Sequence, residues 1–451
     1  MTDYEQRLGT QKMLPLIFSM ALPAVAAQLV NLLYSIVDRI FIGHIPDVGT
    51  DALAGIGITS SIIILIAAFS QIVGSGGAPL AAMALGSGDR ERAGKILGNG
   101  FVMLIIFSVA LCIPVYIFME PLLMLIGASD TTYQYAAEYL SVYLSGTLFV
   151  MFTTGLTNFI NAQGRSKIAM ISVIIGAAAN IALDPLFIYT FDLGVKGAAL
   201  ATVIAQFLSA LFVIVFLFSE KASLRIEKRY MKPEGKILKR MFSLGIAPFI
   251  MASTESLIGF AFNSTLMLYG DVYVSALTVM QSAIQIVGVP LSGFSQGFVP
   301  IISYNYGTGD TKRIKECFKI AMTIMFTVNF VLILLMAILP ELTASVFTKD
   351  AELIRVVGDY MPVFIAGMTI FGLQRCCQNM FVALGQAKIS LFIALLRKVI
   401  LLVPLVYLFS HIFGVTGVYA AESVADAIAA TTCTAIFAVK FPKIMSDKKK
   451  I

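Results

Sequence analysis

The chain has 451 residues, of which 58% are apolar and 13% charged, and its mean hydropathy is +0.89. That composition excludes a soluble globular domain and puts most of the chain in lipid. The formal net charge of +6 comes from 32 Lys and Arg against 26 Asp and Glu, and it is sorted by loop, as shown below, so it is not a nucleic-acid footprint.

From the N-terminus, Met1 to Lys12 is polar and lacks a cleavable-signal pattern, so the first apolar stretch is expected to be a retained helix. Apolar stretches long enough to span then begin near Met13, Ala52, Gly94, Thr132, Ile168, Val195, Ile237, Val272, Phe318, Leu353, Ile389 and Val415. Each runs for roughly 20 to 30 residues, enough to cross the hydrocarbon with some tilt. None alternates apolar and polar residues, as a channel-forming β-barrel would require.

The polar residues inside these stretches are few. The first span carries Pro23, then Gln28, Asn31, Ser35 and Asp38 at spacings of three, four and three, which share one face, with Tyr34 among them. The fifth has Asn180 and Asp184 one turn apart, with Pro185 directly after the acid. A proline there interrupts helical bonding and frees backbone carbonyls. The sixth adds Thr202 and Gln206, again one turn apart. The seventh carries Glu255 and Asn263, the eighth Gln281 and Gln285, and the twelfth Glu422 and Asp426. Arg375, Arg397 and Lys398 are the basic residues inside helices, and pairing of Glu422 and Asp426 with one of them is as reasonable as a functional role.

Lys and Arg between the spans set the orientation. The N-terminus, the 2-3, 4-5, 6-7, 8-9 and 10-11 connections and the C-terminus together hold 25, against Arg39, Lys196, Lys349 and Arg355 in the opposite loops. Both termini are therefore expected in the cytoplasm of a multi-pass cell-membrane protein. The basic 6-7 connection reads as a cytosolic linker beside anionic lipid. It divides the chain into an N-terminal lobe, 1–219, a linker, 220–236, and a C-terminal lobe, 237–451.

The lobes repeat one another. Pro79-Leu80 through Gly86-Ser87-Gly88-Asp89 recurs as Pro300-Ile301 through Gly307-Thr308-Gly309-Asp310, and Asn158 with Ala162-Gln163-Gly164 recurs as Asn379 with Ala383-Leu384-Gly385, both at an offset of 221. With six spans in each half, the repeat is of the parallel type, with its axis along the membrane normal. At that offset Asp184 falls on Leu405, Asn180 on Leu401 and Thr202 near Glu422, while the first span aligns with the seventh at about 225, which puts Asp38 opposite Asn263. The acid cluster is private to the first lobe, so symmetrical packing does not explain it.

An ionisable group near mid-membrane costs roughly 2.5 to 3.5 kcal/mol on insertion scales. Two carboxylates, an amide and a hydroxyl, from Asp38, Asp184, Asn180 and Thr202, make an oxygen-rich site suited to a sodium ion or a shared proton. The bland alternative is a helix-end cap for Asp38 and a hydrogen-bonded kink for Asp184. Glu255, Asn263, Gln281 and Gln285 would line a cavity attractive to cations.

Other chemistries lack material. The two histidines, His44 and His411, are expected in outer loops, the five cysteines show no CxxC spacing, and no GxxxxGK[ST] pattern occurs. A clustered-acid motif of a membrane-embedded enzyme is also missing.

Over essentially its whole length the chain resembles the multidrug and toxic compound extrusion (MATE) family. The resemblance is carried by Ala21-Leu22-Pro23 with Val37-Asp38-Arg39-Ile40-Phe41-Ile42-Gly43, by Asn180-Ile181-Ala182-Leu183-Asp184-Pro185-Leu186-Phe187, by Gly194-Val195-Lys196-Gly197-Ala198-Ala199, and by the Gly-Ser-Gly-Asp and Gln-Gly-Arg loops. The Asp-Pro and the acid of the first span look most like the DinF and MepA branch. The resemblance implies an all-α fold of twelve helices in two V-shaped six-helix lobes. It also implies a monomeric antiporter without a cofactor that exports organic cations and amphipathic drugs against H+ or Na+.

Its coupling residues would be Asp38, Asn180, Asp184 and Thr202, its hinge Pro23, and its substrate cavity would include Gln28, Asn31, Tyr34, Ser35 and Gln206. A second-lobe sodium site of the NorM kind has only Glu255 to offer, because the middle of the tenth span holds Arg375. A lipid-linked oligosaccharide flippase of the same superfamily is the rival reading, and a membrane-embedded enzyme or a passive channel the rivals from other classes.

Overall fold

A computed structural model describes residues 3–46 and 48–448, and the described residues form helices without strands. A short α1 (Asp3–Thr10) precedes α2 (Met13–Gly43), α3 (Gly49–Gly86), α4 (Arg90–Ile117), α5 (Met119–Ile126), α6 (Asp130–Ser145), α7 (Thr147–Ala162), α8 (Ser166–Pro185) and α9 (Gly194–Phe218). The second half holds α10 (Gly235–Ser253), α11 (Glu255–Leu266), α12 (Asp271–Thr308), α13 (Thr311–Ile338), α14 (Pro340–Ser345), α15 (Ala351–Ile365), α16 (Phe371–Ala383), α17 (Ala387–Leu395) and α18 (Val403–Lys448).

Among the described residues ten helices are long and apolar enough to cross a membrane, and α6 with α7 makes an eleventh, bent by 60°. The last of the ten, Ala387–Ser446, is 60 residues long. It is not one rod. Arg397 bonds Asp426, 29 residues on, a separation that an unbroken helix would stretch to about 43 Å. The run therefore turns back, at Gly414, whose φ of 63° and ψ of −143° leave the helical region. His411 consequently lies in the helix just before this turn rather than in a loop.

Duplicated glycines explain two features that hydropathy conceals. Gly146 separates α6 from α7, and a Cβ there would meet Val203 at 2.7 Å. Its counterpart, Gly367, lies in the 3-10 stretch between α15 and α16, donates its N–H to Ser423 Oγ at 2.5 Å, and would place a Cβ 1.8 Å from the Ser423 carbonyl. The fourth span and its repeat thus break at the same register because a neighbouring helix occupies the side-chain space.

The repeated Gly-x-Gly-Asp loops are structural in the same sense. Gly88 and Gly309 adopt φ of 79° and 81° after α3 and α12, a left-handed exit that favours glycine. Asp89 and Asp310 then cap the next helices, accepting from Arg92 N at 2.9 Å and Arg313 N at 3.0 Å.

The halves meet along two equivalent crossings, α2 with α12 and α3 with α10. Gly76 approaches the Met241 carbonyl and Gly245, while Gly297, 221 residues later, approaches Ala21. Contact is concentrated at the face carrying the basic loops after α3 and α12. The first part of α2 buries one face there, through Leu16, Ile17, Met20, Ala21 and Ala24, whereas none of residues 28–41 further along is buried. The two lobes therefore touch at the basic face and part toward the other, which makes a V.

The linker is fastened to the first lobe. Asn99 in α4 donates to the carbonyls of Tyr230 at 3.3 Å and Lys232 at 3.2 Å and accepts from Glu234 N at 2.6 Å. Gln163 accepts from Leu224 N at 3.0 Å, Lys95 pairs with Glu234 at 3.3 Å, and Gly98 leaves room for the Tyr230 backbone. Replacing Asn99 by Ala removes all its bonds at once. Asn99→Ala is expected to lower stability by about 1–3 kcal/mol and to speed tryptic cleavage at Lys228 and Arg229, read by limited proteolysis. Unchanged cleavage would show that the clamp holds nothing.

Candidate functional site in the first lobe and the central cavities

The first-lobe cluster assembles where α8 ends. Pro185 has no N–H to give, and the chain leaves α8 through a π-helical stretch, Leu186–Thr190, of the kind found at functional sites. Tyr189 ties this stretch to α2 by donating to the Phe41 carbonyl at 2.6 Å. Asp184, fully buried, accepts from Asn180 Nδ2 at 3.2 Å, and the same amide reaches Thr202 Oγ1 of α9 at 3.4 Å. Tyr139 of α6 meets the Thr202 hydroxyl.

Asp38 of α2 is near enough to Asp184 for the two charges to interact, and Tyr34 is within electrostatic reach of both. Asp38 Oδ1, Asn180 Oδ1, Asp184 Oδ2 and Gln206 Oε1 are all buried without a hydrogen-bond partner in the protein. Oxygens with unused lone pairs on neighbouring helices are the kind of donor that a hard cation or a proton takes. Among the described residues no group of three or more His, Cys, Asp or Glu side chains gathers as a metal site, so the set is two acids completed by neutral oxygens. Of the four residues singled out from sequence, Asn180, Asp184 and Thr202 are joined by hydrogen bonds, and Asp38 is near enough to Asp184 to act on it through charge.

A cavity of about 510 Å³ opens in front of them. Gln28, Asn31, Tyr34 and Ser35 line it from α2, Asn180 from α8, and Thr202 and Gln206 from α9. Its other polar groups, including Gln71, Thr153, Thr157, Asn158 and Asn161 from α3 and α7, were not anticipated from sequence. Their polarity was visible inside apolar spans, but no carboxylate drew attention to them.

A second cavity of about 500 Å³ lies on the side of the second lobe and shares Gln71, Ser75, Asn158, Asn161 and Gln296 with the first. Glu255 lines it, but in an ion pair with Lys398, which also donates to the Met251 carbonyl at 2.9 Å. Asn263, Gln281 and Gln285 are exposed and lie outside the lining of both cavities, so the expected grouping with Glu255 does not form there. Glu422 and Asp426 both turn to Arg397, Glu422 at 3.3 Å, rather than to Arg375 or Lys398. These buried pairs join α18 to the π-helical stretch Leu396–Leu402. Pro23 lies buried within α2, which remains a single helix through it.

Comparison with known proteins bears on the family and the fold. The MatE family model matches residues 23–186 and 247–408, once in each half. Relatives named multidrug export protein MepA, from Staphylococcus haemolyticus and Staphylococcus aureus, are each 24% identical, over 91% of this chain and 90% of theirs and over 96% and 95% respectively. The crystal structure of a MATE protein in the bent conformation superposes with a TM-score of 0.91 at 23% identity, covering 99% of both chains. The outward-facing conformation of a multidrug resistance MATE family transporter gives 0.91 at 22%, covering 98% of this chain and 99% of the other.

Proposed function

Because the chain belongs to the MatE family, whose members are transporters and not enzymes, we propose that it is a secondary active multidrug efflux antiporter, exporting organic cations and amphipathic compounds in exchange for H+ or Na+. The observation that carries the coupling reading is the buried cluster of Asp38, Asn180, Asp184 and Thr202, with its unused oxygens, at the back of a central cavity. Two carboxylates held together away from water favour uptake of a compensating cation. A proton or a sodium ion serves that need, and both would be cargo moving down its gradient.

The lobes 1–219 and 237–451 act in this reading as the two bodies of alternating access, with 220–236 travelling with the first. The basic face is cytoplasmic, so the V opens outward. An ion entering from outside binds the first-lobe acids, α2 shifts near Pro23, and substrate in the cavity beside Gln28, Asn31, Tyr34, Ser35 and Gln206 is released. Coupling requires that ion and substrate favour different states or compete for one. The names of the curated relatives, multidrug export proteins, support the substrate class.

Ethidium efflux from proteoliposomes, with pH and sodium gradients imposed separately, tests this. Saturable efflux driven by one of them is expected and identifies the ion. Flux that neither gradient drives would reject the antiporter reading.

A further inference from the structure

The second cavity is built differently from the first, and its difference has a direction. Three cationic side chains line it, Arg375, Arg397 and Lys398, against one carboxylate, Glu255. Two of the cations are neutralised: Arg397 by Asp426 and Glu422, and Lys398 by Glu255. Arg375 has no carboxylate in ion-pair distance among the described residues. Its contacts are a hydrogen bond to Ser292 Oγ and the ring of Phe371, 5.9 Å below its guanidinium carbon, with Arg397 over the same ring at 4.6 Å.

Symmetry does not account for this guanidinium. At the 221 offset Arg375 corresponds to Thr154, whose hydroxyl donates to Ser70 at 2.7 Å. The neighbouring position is repeated, since Asn158 corresponds to Asn379, which donates to Ser295 at 2.9 Å. The second lobe thus keeps the polar framework and puts a permanent cation where the first has a neutral hydroxyl. A guanidinium withdrawn from bulk water and lacking a carboxylate is costly to keep, and it offers a planar fork of donors that matches a carboxylate edge to edge.

We infer that the second-lobe cavity is a binding subsite for the carboxylate of an amphipathic organic acid, with Arg375 as the anion-recognising residue and Phe371 as the apolar platform for the attached ring system. The inference rests on the export reading above and extends its substrates from cations to carboxylates. Glu255, Glu422 and Asp426 balance the three cations in number, so what Arg375 offers a ligand is a donor fork without a direct carboxylate contact, and that fork fits one carboxylate. A lipid diphosphate would bring further charge onto Arg397 and Lys398, whose donors already serve Asp426, Glu422 and Glu255.

The test uses the full chain in nanodiscs of phosphatidylcholine and two probes that share a ring, dansylglycine and dansylglycinamide, which differ in the carboxylate alone. Dansylglycine is expected to bind about tenfold more tightly than the amide, as a charge-assisted bidentate contact provides. Arg375→Gln should bring the ratio close to one, and Arg375→Lys should keep part of it. Ethidium binding to the same samples reads the first-lobe cavity and reports on folding. Equal affinities in the wild type, or a ratio that survives Arg375→Gln, would overturn the subsite. Loss of the preference in discs containing phosphatidylglycerol, with the amide unaffected, would assign Arg375 to lipid phosphate and equally overturn it. Absence of ethidium binding in the wild type would instead count against the export reading.

Discussion

Asp184→Asn should bring gradient-driven ethidium efflux down to the passive leak, a loss of at least about tenfold, while the purified protein keeps its helical content and its affinity for ethidium. The substitution is nearly isosteric. An asparagine carbonyl at that position can still accept from Asn180 Nδ2, as Asp184 Oδ1 does at 3.2 Å, so the local packing between α8 and α9 survives. What disappears is the capacity to take up a proton or balance a sodium ion. Asp38→Asn removes the companion charge, and the same loss is expected of it because a single remaining carboxylate, surrounded by Asn180, Thr202 and Tyr34, no longer needs a second compensating charge. The measurement is initial efflux rate in proteoliposomes under the driving gradient, with Glu255→Gln as comparison. Full efflux in both Asp variants would place coupling elsewhere, and selective loss in Glu255→Gln would move it to the second lobe.

The first-lobe site was legible because its parts obey helical spacing and have a visible cost. Asn180 and Asp184 lie one turn apart, Pro185 marks the end of regular bonding, and the missing counterparts at Leu401 and Leu405 distinguish the cluster from the repeated framework. The second lobe was harder to read since its charges pair across helices. Nothing in the local pattern of Glu255 points to Lys398, 143 residues away, nor chooses Arg397 over Arg375 as partner of Glu422 and Asp426. Hydropathy windows likewise pass over Gly146 and Gly367, where the break comes from a neighbouring helix. The linker composition suggests solvent and lipid, whereas Asn99 and Gln163 hold its backbone from inside the first lobe. Long-range polar contacts to backbone leave no periodic trace.

The repeated loop conceals the position on which closure of the basic face depends. Gly86 and Gly307 are equivalent by the 221 offset, and they meet each other across the lobe interface, with a Cβ on Gly86 falling 2.0 Å from the Tyr304 carbonyl and one on Gly307 falling 2.1 Å from the Met83 carbonyl. Two equivalent residues in mutual contact lie on the pseudo-two-fold axis, so this is where the ends of α3 and α12 pivot and seal. The obstacle to a larger residue is backbone, which cannot rotate away as a side chain can. Gly307→Val is therefore expected to hold the ends apart and penalise the outward-open state, with export falling by about tenfold or more for a loss of 1.4 kcal/mol or greater in closure. Each lobe keeps its own internal contacts and still inserts. A cysteine placed at Ser75, in the shared cavity wall, should become more reactive to a membrane-impermeant maleimide applied from the basic face in Gly307→Val and stay protected in the parent. Gly88→Ala strains the left-handed exit of the equivalent loop in the first lobe without touching the opposite lobe, and should lower stability while leaving Ser75→Cys protected. Equal labelling in the Gly307→Val and Gly88→Ala backgrounds would mean that loop integrity, rather than the glycine contact on the axis, closes the face.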